Sequence, residues 1–255
     1  MNNQLTVVFN NFVGVTCRLS VLIPVRNDFR VNRLLEVLAL QARDDMQVCI
    51  INDLKPDPII TALPSPLKGT ILHSDSDITL GEKLATLLER SQGEWVVYVE
   101  SDTIPHKNWV EDMMNLIEEA APGAVHQGGE IFAKSRNLNN FFFKRGLKVP
   151  RYERGLYWAQ DTVWFMACEN AGIPIIRHDL EAVLFHDARV SEGDMRFFKY
   201  AIDYAYLAAQ DGQFELLKRR LLAEGYYLTR GLTGVLSMPP LYVYFYIKKL
   251  IGRFI

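Results

Sequence analysis

Short continuous apolar runs alternate with stretches whose apolar positions recur at helical spacing, and the alternation persists from residue 19 to about residue 125. Runs rich in β-branched and aromatic side chains, apolar on both faces, predict buried strands; the helically spaced stretches predict amphipathic helices. Residues 19–23 form one predicted strand, ended by Pro24 and followed by polar Arg26, Asn27 and Asp28. A helix with Val31, Leu34, Leu35 and Leu38 on one face comes next. Residues 48–51 predict a second strand, ended by Asn52 and Asp53. Four prolines between residues 55 and 66 predict a loop, and residues 70–73 a further short strand. A helix is expected over residues 81–90, with Leu84, Leu87 and Leu88 turned inward and Gly93 as its terminator. Residues 95–99 then predict a central parallel strand that runs straight into Glu100, Ser101 and Asp102. Residues 109–121 read as another helix, with Trp109, Met113, Leu116 and Ile117 inward and a solvated acidic face. Strand–helix–strand units with polar residues at each strand end predict an α/β fold, a mostly parallel sheet flanked by helices.

Beyond this region the pattern changes. Residues 131–157 hold seven Lys/Arg against one Glu, interleaved with Phe132, Phe141, Phe142, Phe143, Tyr152 and Tyr157. This stretch reads either as a loop that meets an anionic acceptor or membrane surface, or as core aromatics with solvated charges. Asp161 opens a predicted helix that Gly172 is placed to end; residues 173–176 follow, and residues 182–185 predict a strand delivering His186. Residues 196–224 read as amphipathic helix. Residues 232–247 are mostly apolar but carry Pro239 and Pro240 in their middle, with Lys248, Lys249 and Arg253 after them. That segment is shorter than the ~20 residues of a membrane span. An interfacial helix fits it better than a helix docked on the core. The expected organisation is an N-terminal lead-in over residues 1–18, as an added strand or a loose segment, an α/β domain over residues 19–190, and a membrane-contacting C-terminal helical extension over residues 191–255.

A chain of 255 residues can bury a sizeable core. Its net charge of −2 argues against general nucleic-acid binding through phosphates. Cys17, Cys49 and Cys168 are far apart, lie in apolar surroundings and lack metal-site spacing, which suits a reducing compartment. The N-terminus has no basic region ahead of an uninterrupted apolar run, so the expected location is cytoplasmic, at the inner face of a membrane.

The candidate chemistry lies at strand ends. Asp53, Glu100 with Asp102, and His186 end predicted strands, and Asp161 starts a helix. In an open α/β sheet such strand ends share one rim, the usual ligand crevice. Carboxylates and one imidazole there suit a divalent cation, and the cation would neutralise a diphosphate. A carboxylate near the metal but not on it, such as Asp161, can accept a proton from an attacking hydroxyl. No Gly-rich loop follows the first strand, which disfavours a dinucleotide fold, a P-loop enzyme or a nucleotidyltransferase.

In this order, the motifs resemble glycosyltransferase family 2, the inverting nucleotide-sugar enzymes of the GT-A fold. Residues 20–28 match the family's opening strand and its Pro-x-Tyr-Asn turn, with Arg26 in place of the tyrosine. Residues 50–53 match the second strand, with only the second acid of its Asp-Asp pair. Glu100-Ser101-Asp102 stands where the family has Asp-x-Asp, and residues 160–173 match the Glu-Asp helix and its closing glycine. Residues 183–186 match the strand that brings a histidine to the metal.

The resemblance implies that Asp53 hydrogen-bonds the nucleotide base, that Pro24 and Arg26 line its pocket, and that Glu100 and Ser101 lie on the nucleotide side. It makes Asp102 and His186 ligands of Mn²⁺ or Mg²⁺, and Asp161 the catalytic base. Gly81-Glu82-Lys83 stands loosely in place of the family's Ala-Arg-Asn signature, which extends donor binding to Lys83. Glu100 for Asp, Gln160 for an acid, and Trp164 and Ala167 for an acid and an arginine are departures. The expected activity is transfer of a sugar from a UDP- or GDP-sugar to a hydroxyl of a glycan or lipid-linked acceptor, in cell-surface polysaccharide or glycolipid synthesis. The alternative is a non-catalytic module that keeps the fold and binds a sugar nucleotide or glycan in a membrane-associated complex.

Overall fold

The structure is a computed structural model that describes residues 5–12, 16–26, 28–53, 60–76, 78–131, 139–152, 160–178 and 181–186. The chain divides into two units, one of residues 1–155 with 160–188 and the other of residues 156–159 with 189–255. The second unit, with the expected C-terminal helices and residues 232–247, lies outside the described residues, as do Phe132, Tyr157 and Trp158.

Eleven strands and four helices are assigned among the described residues of the first unit. They run β1 Leu5–Asn10, β2 Leu19–Arg26, α1 Arg30–Ala39, β3 Met46–Asp53, β4 Gly69–Ser74, α2 Leu80–Arg90 and β5 Trp95–Tyr98. β6 Thr103–Pro105, α3 Trp109–Glu119, β7 Val125–Gly128, β8 Glu130–Ile131, β9 Phe141–Lys144, α4 Gln160–Asn170, β10 Ile175–His178 and β11 Leu184–His186 follow. The large sheet has the order β1-β4-β3-β2-β5-β9-β7-β10, and a small sheet has the order β6-β11-β8. β4, β3, β2 and β5 are mutually parallel, as their apolar runs predict. Residues 1–18 do add a strand, since β1 pairs antiparallel with β4 along the sheet edge.

The sheet is covered on both faces. Val31, Leu34, Leu35 and Leu38 of α1 and Trp109, Met113, Leu116 and Ile117 of α3 pack with Leu19, Val21, Ile23 and Val25 on one face. Leu84 and Leu87 of α2 and Trp164, Phe165 and Cys168 of α4 pack with Leu22, Ile51, Val96 and Tyr98 on the other. Each fully buried Leu, Ile or Phe contributes about 1.5–3 kcal/mol relative to exposure, so these two layers are the main stabilising term.

The fold corrects two expectations and decides between the two readings of the aromatic stretch. β5 is parallel only to β2; its other neighbour is the antiparallel β9. β9 is the Phe141–Phe143 run, whose three rings are buried, so these aromatics belong to the core and not to an acceptor-binding loop. Tyr152 is also core, stacked on Trp164 at 5.5 Å between ring centroids. Gly93 does not terminate α2, which ends with Ser91 as its C-cap. It is required instead by close approach, because a Cβ there would lie 2.5 Å from the Ser20 nitrogen. Gly172 does close α4, with φ of +71°. His178 gains a partner, with its Nε2 3.1 Å from Nδ1 of buried His126. A carbonyl only accepts, so the 3.0 Å contact to Ala121 O puts the His126 proton on Nε2, and Nδ1 accepts from His178.

The joint between the two sheets is a buried asparagine. Asn140 has φ of +57°, a region asparagine enters more readily than most residues. Its backbone N–H donates to Tyr98 O at 2.8 Å, and its carbonyl accepts from the Gly128 N–H at 2.8 Å. Its side-chain amide donates to Gly129 O at 2.7 Å and Ala182 O at 2.6 Å, while Oδ1 accepts from Trp109 Nε1 at 3.2 Å. One side chain thus links α3, the β7–β8 junction and the segment leading into β11. Asn140→Ala should leave the Ala182 carbonyl and the Trp109 indole N–H unpaired in the core and take one of two donors from Gly129 O, which keeps the Leu184 N–H, and so lower unfolding stability by about 2–4 kcal/mol. Urea unfolding with an unchanged slope and a lowered midpoint checks this.

Candidate functional site

Parallel pairing sends the strand ends to one rim. Arg26 of β2, Asp53 of β3 and Ser74 of β4 are register partners at the last positions of their strands. Pro24 fits inside β2 because of where β5 stops. Leu22 O accepts from the Val99 N–H at 3.0 Å as the last bond on that side, so two residues later no donor is required. Arg26 is exposed at the end of β2.

β5 ends at Tyr98, and Glu100, Ser101 and Asp102 lie in a turn. Thr103 closes the turn through its N–H and its hydroxyl, both donating to Glu100 O at 3.3 Å and 2.7 Å. Two residues apart, Glu100 and Asp102 would point the same way in extended chain, but the chain is not extended there, and the turn sets their directions. Buried Asn139 accepts from the Glu100 N–H at 3.0 Å and anchors the turn from below.

The turn is tied to the β2–α1 connection by Asp28. Its carboxylate accepts from the Ser101 hydroxyl at 2.9 Å, the Arg30 backbone N–H at 3.1 Å, Arg30 Nε at 2.9 Å and Arg30 Nη2 at 3.0 Å. Arg30 Nη2 also lies 3.4 Å from Asp102 Oδ2. Burial alone would raise the Asp28 carboxyl, but the hydrogen bonds from Arg30 and Ser101, with the guanidinium charge, hold it below the ordinary carboxylate value.

Lys83, on α2, is buried, and its amine donates to Val25 O at 3.0 Å, one residue before the end of β2. The capping box between Thr79 and Glu82 fixes the turn of helix that carries it. Lys83 thus braces the β2 end from the opposite sheet face.

β11 brings His186 to the same place. In the antiparallel β6–β11 pair His186 is opposite Thr103, one residue from Asp102. Asp161 is in the first turn of α4, whose Trp164 and Phe165 pack on Phe141 at 4.7 Å and 5.8 Å between ring centroids. Phe141 is the register partner of Tyr98, two residues before Glu100. The side chains of Asp53, Asp161 and His186 lie outside the described residues. Among the described residues no three His, Cys, Asp or Glu side chains converge as a metal site. The donor types at the rim, a half-buried aspartate with a histidine paired beside it, nonetheless fit a hard or borderline divalent cation.

Asp28, Arg30, Asn139 and Asn140 escaped the sequence reading as functional positions. Asp28 had a visible signal, since an acid two residues before an apolar helical repeat is a helix-start signature. Arg30 had another, because a cation in the first helical turn opposes the helix dipole.

The model of the family described as Glycosyl transferase family 2 matches residues 20–174. No curated protein matches the chain. Among solved structures, S. aureus TarS 1-349 in complex with UDP-GlcNAc is similar at 15% identity and a TM-score of 0.62, over 89% of this chain and 78% of that one. Against the longer S. aureus TarS chain, the match spans 43% of its length. The mannosyltransferase PcManGT from Pyrobaculum calidifontis, in complex with GDP-Man and Mn²⁺, is similar at 16% identity and a TM-score of 0.57, over 89% and 74% of the two chains. Glucosyl-3-phosphoglycerate synthase from Mycobacterium tuberculosis, with Mn²⁺, UDP and glucosyl-3-phosphoglycerate, is similar at 14% identity and a TM-score of 0.57, over 77% and 80%. These likenesses bear out the GT-A architecture.

Asp28→Asn should loosen the Ser101 and Arg30 contacts and destabilise the protein by about 1–2 kcal/mol at neutral pH. The folded carboxyl titrates below its unfolded value of about 4, so the wild-type advantage is fully present above that pH and is lost as pH falls through the lower folded value. Urea midpoints of the two proteins across pH 7 to about 3 should therefore converge at the acid end.

Proposed function

The chain belongs to glycosyl transferase family 2 and is a glycosyltransferase; from that premise we propose a metal-dependent, inverting enzyme that moves a sugar from a UDP- or GDP-sugar to a hydroxyl acceptor. The reading rests above all on the β6–β11 register, which pairs His186 with Thr103, the residue after Asp102, and so supports a histidine position next to that acid along the rim. Asp102 and His186 would hold Mn²⁺ or Mg²⁺, and such a cation supplies charge neutralisation for a departing diphosphate. Asp53 would take the base, with Pro24 and Arg26 along its pocket and Glu100 and Ser101 on the nucleotide side. Lys83 keeps the β2 end in place through Val25 O. Asp161, in the first turn of α4, would accept the proton of the attacking hydroxyl, giving a single displacement with inversion.

Of the departures from the family pattern, Trp164 has a packing account: it is buried among Phe141, Phe143, Tyr152 and Phe165, and its Nε1 donates to Pro150 O at 3.0 Å. That leaves Asp161 as the only acid in the opening Gln160–Trp164 stretch of α4.

The acceptor class follows from the chain's end. Residues 232–247, with Lys248, Lys249 and Arg253 beyond them, have the composition of an interfacial segment, which suits a lipid-linked glycan or cell-surface polysaccharide acceptor at the inner face of a membrane. Among the described residues no helix is long and apolar enough to cross a membrane.

Donor consumption tests the assignment of the base. With Mn²⁺ and a panel of UDP- and GDP-sugars, wild type should release nucleoside diphosphate slowly to water. Asp161→Asn should reduce that release at least about a hundredfold, within the range for loss of a general base, while nucleotide affinity stays within a few-fold. Release unaffected by the substitution would refute Asp161 as the base. Tight nucleotide binding with no release from any donor in wild type would favour a non-catalytic sugar-nucleotide binding module.

A further inference from the structure

Arg30 stands where helix energetics disfavour a cation, at the first position of α1, and no acid lies in that first turn. Two carboxylates outside the helix account for its position. Asp28 takes Nε and Nη2 in a fork at 2.9 Å and 3.0 Å, and the same Nη2 lies 3.4 Å from Asp102 Oδ2. Asp28 also binds the Arg30 backbone N–H and the Ser101 hydroxyl, so the guanidinium is oriented from both ends toward the turn that carries Asp102. The Arg30 and Asp102 side chains are only 34% and 21% exposed, so water screens the pair partially.

We propose that Arg30 is the resident counter-cation of Asp102, holding its carboxylate in place before a divalent ion arrives and giving it up when the ion binds. The inference rests on the reading of Asp102 as a metal ligand. A divalent ion then meets a carboxylate already paired with a fixed positive charge. It must displace Nη2 from Asp102 and sit beside a guanidinium that Asp28 still holds through its fork. Both effects weaken binding of the ion alone. Once a diphosphate is present, the retained guanidinium adds positive charge where the anion lies, so ion and diphosphate bind with positive coupling. Arg30 is by this account a positioning residue that keeps the site from filling with metal before the donor comes.

Mn²⁺ binding to the full chain without nucleotide, followed by the electron paramagnetic resonance of the free ion, tests this directly. A partly exposed pair and a neighbouring like charge predict that Arg30→Ala binds Mn²⁺ about threefold to tenfold more tightly than wild type. Arg30→Lys, which keeps the charge without the fork, should fall between them. Asp102→Asn should abolish binding in the wild-type and Arg30→Ala backgrounds alike. Thermal unfolding of each variant separates a folding defect from a binding effect. A merely structural Arg30 would give the opposite sign, since losing a brace weakens the ion site. Equal or weaker binding in Arg30→Ala, with Asp102→Asn still abolishing it, overturns the inference and leaves the metal reading standing. Binding that ignores Asp102→Asn, or no binding in any variant, overturns the metal reading at Asp102 and the inference with it.

Discussion

The geometry of the rim depends on one buried amide. Asn140 hydrogen-bonds carbonyls of Gly129 and Ala182 and the indole of Trp109, while its backbone continues the pairing with Tyr98. These partners come from four parts of the chain, and none of the groups has water as an alternative. Because leaving such buried groups unpaired costs more than a made hydrogen bond contributes on balance, the left-handed conformation of Asn140 is tolerated. The consequence for function is positional. Ala182 leads into β11, β11 pairs with β6, and β6 follows directly on the turn that carries Glu100 and Asp102. Two strand ends far apart in sequence are thereby held one residue out of register.

Electrostatics act on the same turn from the opposite side. Asp28 gathers the Ser101 hydroxyl and the Arg30 side chain, and Arg30 reaches on to Asp102. The β2–α1 connection and the β5–β6 turn are therefore coupled through charge-assisted hydrogen bonds, which are stronger than neutral ones and directional. A site assembled in this way has its carboxylates oriented ahead of any ligand. Preorganised charge of this kind would lower the reorganisation needed in the proposed transfer.

Much of the fold was legible because parallel strands covered on both faces leave an unambiguous mark, an apolar run closed by polar residues. Such runs found β2, β3, β4 and β5, and the helical spacing of Leu34, Leu35 and Leu38 or Met113, Leu116 and Ile117 found the helices over them. Asp53 at the end of β3, and Glu100 and Asp102 just past the end of β5, were placed on one side because parallel strands end together; His186 ends β11, which lies in the small sheet antiparallel to β6, so that argument does not reach it. The insertion of β9 between β5 and β7 was not legible. Three phenylalanines beside lysines and arginines look alike in a core strand and a surface loop, and only long-range pairing with Trp95–Tyr98 distinguishes them. The turn at Glu100–Asp102 was not legible, because a local hydrogen bond from Thr103 bends the chain directly after an apolar run that gives no sign of it. Nothing local marks Asn139 and Asn140, since their partners lie 11 to 42 positions away, beyond any local pattern.

The central claim is that this rim binds a nucleoside diphosphate through a divalent cation held at Asp102. Calorimetric titration of UDP and of GDP into the full chain, with and without Mn²⁺, in wild type and Asp102→Ala, tests it most directly. The account predicts that one of the two nucleotides binds only with Mn²⁺ present and that Asp102→Ala removes this binding without lowering the thermal midpoint. Nucleotide binding that is indifferent to Mn²⁺ and to Asp102→Ala, or no binding of either nucleotide under any condition, would contradict it.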